Sequence, residues 1–221
     1  MVRSDGISFA YGKSEIIKSL NFSADDGECL VFAGPNGCGK STALGIISGA
    51  LKSSSGAVQT NGKIGYVPQG SALLEDATVE ENLRFFARLA KSSVPKEFPF
   101  SVSEYMNKKV SRLSGGMKKQ VSIACALIGD PKIILLDEPC AALDIAFRDE
   151  LTNIIAEWKR QGKTIIYVGH DPNEFYAFFD TIIFFDKPPL TYRRTEIGEQ
   201  VKTAETFAKF YKETLLNIKR K

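Results

Sequence analysis

A glycine-rich run, GPNGCGKST at residues 34–42, follows the apolar stretch ECLVFA and leads into helix-forming residues. Its spacing, GxxxxGK[ST], suits a loop that wraps phosphate. Gly34, Gly37 and Gly39 let backbone N–H groups turn inward, with Pro35, Asn36 and Cys38 between them. The helix that starts at Lys40 adds the positive end of its dipole. Lys40 is placed to reach β- and γ-phosphates, and Ser41, followed by Thr42, to put its hydroxyl on Mg²⁺. This selects a nucleoside triphosphate with magnesium; kinases, GTPases and many ATPases share it.

A second constellation is KIILLDEP at 132–139, an apolar strand that ends in two acids. Side chains alternate along a strand, so Asp137 and Glu138 should point different ways. Asp137 is suited to hold Mg²⁺, and Glu138 to polarise a water that attacks the γ-phosphate. Two acids at an exposed strand end are also common in loops. What favours function is the phosphate loop, expected on a neighbouring strand.

The elements that must position these groups change character along the chain. The first 60 residues hold short β-like runs, at Ile7–Tyr11, Ile16–Phe22, Glu28–Ala33 and Ala57–Thr60, and one helix from Lys40 to about Leu51. Lys63–Pro68 is another short strand. Thr78 and Glu81 have capping-box spacing, and Leu83, Phe86, Ala87 and Ala90 follow at helical period. SSVPKEFPFSVS, 92–103, is a Ser/Pro-rich linker. An α/β rhythm then sets in: helix 115–129, strand 132–137, helix 146–161, strand 163–168, helix 172–179, strand 181–186. The tail offers a strand near Tyr192–Ile197 and a helix near Ala204–Ile218. Strands such as IILLD and TIIYVG are apolar on both faces, as central parallel strands require. The fold class that follows is α/β: a P-loop NTPase core on a mostly parallel sheet, with an N-terminal antiparallel β-subdomain and a small helical subdomain inserted at about 70–130. The whole of 1–221 reads as a single domain, closed by the strand and helix at 190–221.

Composition narrows the class. The chain has 221 residues, enough for a substantial core without disulfides or metals. Its 29 basic and 26 acidic side chains give +3, too mild a balance to imply nucleic acid. Arg193 to Lys221 carry eight Lys/Arg against four Asp/Glu, which is read as a solvated helix face before a membrane or partner patch. Cys29, Cys38, Cys125 and Cys140 are scattered, as in a reduced cytoplasmic protein. The first residues, MVRSDGISFAYGKSE, lack the apolar core of a signal peptide. No stretch approaches the roughly 18 apolar residues of a membrane span, so a membrane role requires another polypeptide.

Taken in order, these pieces resemble the ATP-binding cassette (ABC) ATPases over nearly the whole chain. GPNGCGKST looks like their Walker A, IILLDEP their Walker B, and LSGGM (113–117) their signature. AALD (141–144) resembles the D-loop, YVGHD (167–171) the switch-histidine segment and VPQG (67–70) the Q-loop. FAYGK (9–13) places Tyr11 where the family stacks an aromatic ring on adenine. The resemblance implies ATP and Mg²⁺ as cofactors, Glu138, His170 and Gln69 as catalytic groups, and Ser41, Gln69 and Asp137 around the metal. Residues 34–42 and Tyr11 would bind the nucleotide in cis. Ser114, Gly115, Gly116 and Asp144 would act in trans, closing over the nucleotide of a second subunit. Ser114 is equally an ordinary helix N-cap, and both readings hold together.

The departures are Cys140 where Thr or Ser is frequent, Ile145 where Pro often follows the D-loop Asp, and Met117 in place of Gln. None removes a group the chemistry needs. Only 44 positions separate Gln69 from Leu113, so the helical lobe is expected to be compact. VEENLRFFARL (79–89) and KKVSRLSGGMKKQVSIA resemble the drug- and haem-exporter-like branch. The expectation is an ATPase subunit of a transporter. It would form a head-to-tail homodimer, or a heterodimer with a second cassette. It would sit at the inner face of the membrane through a polytopic permease. The alternatives are a soluble cassette for DNA repair, translation or cluster assembly, and a scaffold that binds nucleotide without hydrolysis. Phe207, Phe210, Tyr211, Leu215 and Ile218 are expected to pack the last helix on its own domain.

Overall fold

The computed structural model describes residues 1–141, 143–186 and 188–219. Ala142 of the 141–144 segment and the tail residues Arg220 and Lys221 lie outside the described residues. In chain order the elements are β1 (Val2–Tyr11), β2 (Ser14–Ala24), β3 (Cys29–Ala33), α1 (Lys40–Ile47), β4 (Ser55–Thr60), β5 (Ile64–Val67) and α2 (Val79–Leu89). There follow α3 (Gly115–Ala126), β6 (Ile133–Asp137), α4 (Ile145–Arg160), β7 (Thr164–Val168), α5 (Pro172–Phe175), β8 (Thr181–Phe184), β9 (Leu190–Arg193), α6 (Arg194–Ile197) and α7 (Ala204–Lys219).

Two sheets result. β2, β1 and β4 form a three-stranded antiparallel sheet. The second sheet has the order β5-β6-β7-β3-β8-β9 and is parallel except for β9. Alternation along its strands feeds two cores. Cys29, Val31 and Ala33 face a cluster with Ile134, Leu136, Phe147 and Phe207, beneath α4, α5 and α7. Leu30 and Phe32 face the opposite cluster, with Val2, Phe22, Ala43 and Leu44 beneath the antiparallel sheet and α1. A third cluster, around Val79, Leu83, Val102, Val110 and Val121, is the core of the helical lobe. Phe100 packs against both this lobe and the first cluster, and its ring stacks on Phe147 at 5.1 Å.

The expected order of elements is present, with differences that have local causes. α1 stops at Ile47 rather than near Leu51, because Gly49 takes a left-handed φ of 79° and ends the helix. The 92–103 linker gives way to a 3₁₀ turn at Val102–Tyr105. α5 ends at Phe175, before the expected 179. The strand expected near Tyr192–Ile197 ends at Arg193, since β8, its partner among the described residues, begins opposite at Thr181. Arg194 then turns inward, donating to Tyr176 O at 2.6 Å and stacking on the rings of Tyr176 and Phe179. α7 packs on its own domain: Phe207 and Tyr211 are buried, and Phe207 stacks on Phe179 at 4.6 Å. One expectation is corrected outright. β6, which ends in Asp137, does not neighbour the phosphate-loop strand β3; β7 lies between them.

Candidate nucleotide site

The order β6-β7-β3 brings three loops to one sheet edge. Each follows the C-terminal end of a parallel strand, where open α/β sheets place ligands. From β3 comes the loop 34–39. Gly34 and Gly39 have φ of 145° and 109°, in the region that side chains avoid. A Cβ at Gly34 would meet Cys38 Sγ at 2.8 Å, and one at Gly39 would meet Ile16 Cγ2 at 3.0 Å. The loop is thus closed so tightly that only glycine fits at these points. Pro35, Asn36, Gly37 and Cys38 form its rim. Lys40 opens α1, and its Nζ donates to Gly34 O at 3.0 Å and Pro35 O at 2.9 Å. The ammonium therefore sits inside the curl of the loop. Ser41 and Thr42 continue the first turn of α1.

From β6 come Asp137 and Glu138. Asp137 is 2% exposed, and its Oδ1 lacks a hydrogen-bond partner among the described residues. Burial raises its pKa, as does the charge of Glu138; the Ser41 hydroxyl and the charges of Lys40 and Lys119 oppose that rise. Burial, with the Asp137 carboxylate nearby, pushes the phenol of Tyr66 on β5 up to about 12. A buried carboxylate oxygen without a partner, facing a serine hydroxyl at the head of a phosphate loop, fits a hard cation such as Mg²⁺. Ser41 and Asp137 are the residues that would hold it.

Glu138 does not follow the strand alternation expected of it. β6 ends at Asp137, and Glu138 takes a φ of 48°, a left-handed conformation that costs a side-chain-bearing residue about 1 kcal/mol or more. The turn lifts its carboxylate out of the sheet between two partners. Gln69 Nε2 donates to Oε2 at 3.0 Å, and His170 Nε2 lies 2.8 Å from Oε1. Gln69 follows β5 and His170 follows β7, so three strand ends hold one carboxylate. Local strain of this kind collects where a group must be aimed.

Other residues complete the frame. The His170 turn is held by Arg148 of α4, whose Nη1 lies 3.4 Å from Asp171 Oδ2 and 3.8 Å from Glu174 Oε1. The Tyr167 hydroxyl donates to Glu174 Oε2 at 3.0 Å. Tyr11, at the end of β1, is 56% exposed, and the Phe9 ring packs edge-on against its own, at 4.9 Å. It presents a free aromatic face, as stacking on a base requires. Ser114 is the N-cap of α3, its Oγ accepting from Met117 N at 3.3 Å, and Asp144 is the N-cap of α4, accepting from Phe147 N at 2.8 Å. Both are exposed, as is Gly115, while Gly116 is half-buried. Gly116 lies against Leu143, where a Cβ would be 3.6 Å from Cδ2. The capping roles are present in one subunit, and the same groups face outward.

Sequence reasoning missed Tyr66, Lys119, Arg148 and Glu174. Glu174 had a trace, an acid in the first turn of a helix that Pro172 starts and Asp171 caps. The others depend on reach across the fold.

Residues 17–141 match the family model described as ABC transporter. The chain belongs to the ABC transporter family. It is an ATP-binding subunit of that family, an ATPase with ATP and Mg²⁺ as cofactors. It is 32% identical over 207 residues to the linearmycin resistance ATP-binding protein LnrL of Bacillus subtilis, covering 85% of this chain and 67% of that one. It is 39% identical to the taurine import ATP-binding protein TauB of Pelagibacter ubique, over 72% of this chain and 66% of that one. ABC transporter A family member 11 of Dictyostelium discoideum is 39% identical over 78% of this chain, which spans only 24% of that protein. A dimeric ATP-binding cassette in a post-hydrolysis state, bound to ADP and Pi, shares 26% identity and a TM-score of 0.70, over 83% of this chain and 94% of that one. The structure of an ATP-binding subunit of an ABC transporter aligns over 98% of this chain and 99% of that one, with a TM-score of 0.85; at 23% identity it shows the shared fold. No helix among the described residues of this ABC subunit is long and apolar enough to cross a membrane.

Proposed function

We propose that this cassette hydrolyses ATP only when two cassettes face head to tail, and that it does so for a separate membrane permease. The observation that carries the reading is the Glu138 carboxylate. It is held by Gln69 and His170 and sits one residue beyond Asp137, which faces Ser41. Bound Mg²⁺ would neutralise charge on the phosphates. The chain's own groups do the rest. The loop 34–39 and Lys40 hold the phosphates. Gln69 and His170 keep Glu138 aimed, and Glu138 takes the proton of the attacking water.

Ser114 and Gly116 lie outside this set, at a helix start where Ser114 and Gly115 are exposed and the N–H groups suit a phosphate oxygen. In a head-to-tail pair they would close over the γ-phosphate of the partner, with Asp144 aligning the two sites. The pair is a homodimer here unless a second cassette takes one place.

The permease reading is supported by exposed Leu74, Phe85 and Leu89, at 46%, 40% and 64%, on the helical lobe and the segment that follows Gln69. They offer apolar ground for a short helix of a membrane subunit, which would hold the cassette at the inner face of the membrane. Export is the direction proposed, on the likeness of 79–89 and of the signature helix to exporter cassettes. The importer-named relative marks the competing outcome.

The deciding experiment measures Mg²⁺-dependent ATP hydrolysis against enzyme concentration. Turnover per chain should rise with concentration until dimers saturate. Constant turnover per chain down to dilutions where the protein is monomeric refutes the two-cassette site. Co-purification of a polytopic membrane protein from the native host tests the permease. Stimulation by DNA or ribosomes, with no such partner, replaces that part of the reading.

A further inference from the structure

Three consecutive long side chains near the start of α3 each leave the helix for a different partner. Lys118 Nζ lies 2.7 Å from Glu75 Oε2, and Gln120 accepts from the Tyr105 hydroxyl. Lys119 differs, because its partners are backbone. Its Nζ donates to Pro68 O at 3.0 Å and to Gln69 O at 3.2 Å. The ammonium is half-buried there; burial lowers its pKa, and the charges of Asp137, Cys140 and Glu138 oppose that fall. Taking a lysine head out of water is unfavourable unless partners replace the water, so this site holds its occupant in one place.

The segment that Lys119 grips has few other restraints. β5 ends at Val67, and the next anchors are the Leu73 side chain, buried in the helical lobe, and Leu74, whose N–H donates to Asn82 Oδ1 at 2.8 Å and whose carbonyl accepts from Asn82 Nδ2 at 3.1 Å. Among the described residues, Lys119 alone reaches the backbone of 68–73 from outside the loop. The side chain of Gln69 in turn donates to Glu138. One ammonium thus joins the helix that begins at Ser114 to the loop whose amide holds Glu138.

We propose that Lys119 is a positioning residue of the ATPase, passing movement of the Ser114 helix to Gln69 and so to Glu138. The inference rests on the reading that Ser114 closes over a partner's nucleotide. It goes further by giving the route through which a nucleotide held in trans sets the base in cis. Shifting α3 moves two carbonyls of the Gln69 loop with it. An unlinked helix would leave Glu138 with His170 as its remaining partner.

Lys119→Met keeps the aliphatic stem and removes the donors; Lys119→Arg restores donors of similar reach. Full-length variants are assayed for kcat and KM with Mg²⁺-ATP, for nucleotide affinity in dilute monomer, and for Tm. Lys119→Met should lower kcat about tenfold, the size of one charge-assisted hydrogen bond, and leave monomer affinity within about twofold. Lys119→Arg should recover most of the loss. In a Gln69→Ala background, Lys119→Met should cost less than about twofold more, because the group it positions is already gone. A lysine that only stabilises the fold lowers Tm and adds its full effect to Gln69→Ala.

If Lys119→Met gives no folded protein, Lys119→Gln, too short to bridge both carbonyls, takes its place with the same expectation. Unchanged kcat in a folded variant, or full additivity with Gln69→Ala, overturns the proposal. The two levels fail differently. Turnover that survives Glu138→Gln removes the site reading and this inference with it. Turnover that needs Glu138 but ignores Lys119 removes this inference alone.

Discussion

Replacing Glu138 by Gln changes one oxygen to an amide nitrogen at a carboxylate with two partners. Gln69 donates to Oε2 at 3.0 Å, so the carbonyl end of the new amide can keep that bond. His170 Nε2 stands 2.8 Å from Oε1, and the new NH₂ can donate to it when that nitrogen is unprotonated. The variant should therefore keep the fold and the left-handed turn at position 138. What it loses is the capacity to take a proton. General-base assistance is worth about 10²–10⁴ in rate, or ~3–5 kcal/mol of barrier. Steady-state phosphate release should fall by at least about 100-fold. ATP affinity of dilute monomer should stay within about threefold, because Lys40, Ser41 and the loop 34–39 are untouched. Size-exclusion chromatography with ATP adds a second readout. A pair that cannot discharge its nucleotide should elute as a dimer, whereas the wild type returns to monomer. Two results refute the reasoning: turnover within about threefold of wild type, which removes Glu138 as base, or loss of ATP binding, which makes it a binding residue.

Ser114→Arg places a long cation on the exposed start of α3 and should abolish turnover while monomer nucleotide affinity stays near wild type; retained turnover removes the trans role of Ser114. Asp137→Asn should abolish Mg²⁺-dependent hydrolysis and raise the Tm of the ligand-free protein at neutral pH. Burial raises the folded pKa of Asp137, so the ionised wild-type side chain lowers stability above that pKa. The Tm difference should shrink as pH falls through it, and a lower Tm for Asp137→Asn at pH 7 contradicts this. Among the four free thiols, Cys38 is the one that is not buried, so alkylation should reach it first, with ATP protecting it and activity falling as it reacts. Burial pushes its pKa up despite Lys40, so labelling should quicken with pH into the alkaline range; full activity after verified modification refutes the link.

The phosphate loop, the acid pair and the Thr78 capping box were legible because their physics is local. Each is set by residues a few positions apart: the loop leads into α1, Asp137 ends β6 and Thr78 caps α2. The α/β rhythm from 115 onward was legible for the same reason: strands buried on both faces read as unbroken apolar runs. Strand order was not. Nothing within KIILLDEP or ECLVFA says that β7 comes between them, because strand order is set by pairing between segments far apart in the chain. The end of α1 was a nearer miss. Gly49 carries the signal, but only its left-handed backbone shows that it stops the helix.

Tyr66, Lys119 and Arg148, the residues without a local trace, share one property: their partners are far away in sequence. Lys119 reaches back about fifty positions to Pro68 and Gln69, and Arg148 crosses from α4 to Asp171 and Glu174. In a sequence each is only a charge on a helix, and a charge on a helix is most often solvated. The same reasoning explains Glu138. An acid after a strand should alternate with its neighbour, yet Gln69 and His170, from two other strands, hold it in a turn that its own backbone disfavours. A residue held against its local preference needs those holders continuously. Loss of either one should let the turn relax and misaim the carboxylate, even though neither is required to take the proton. Gln69, His170 and Lys119 are thus related by geometry, and the rate at Glu138 should report on all three.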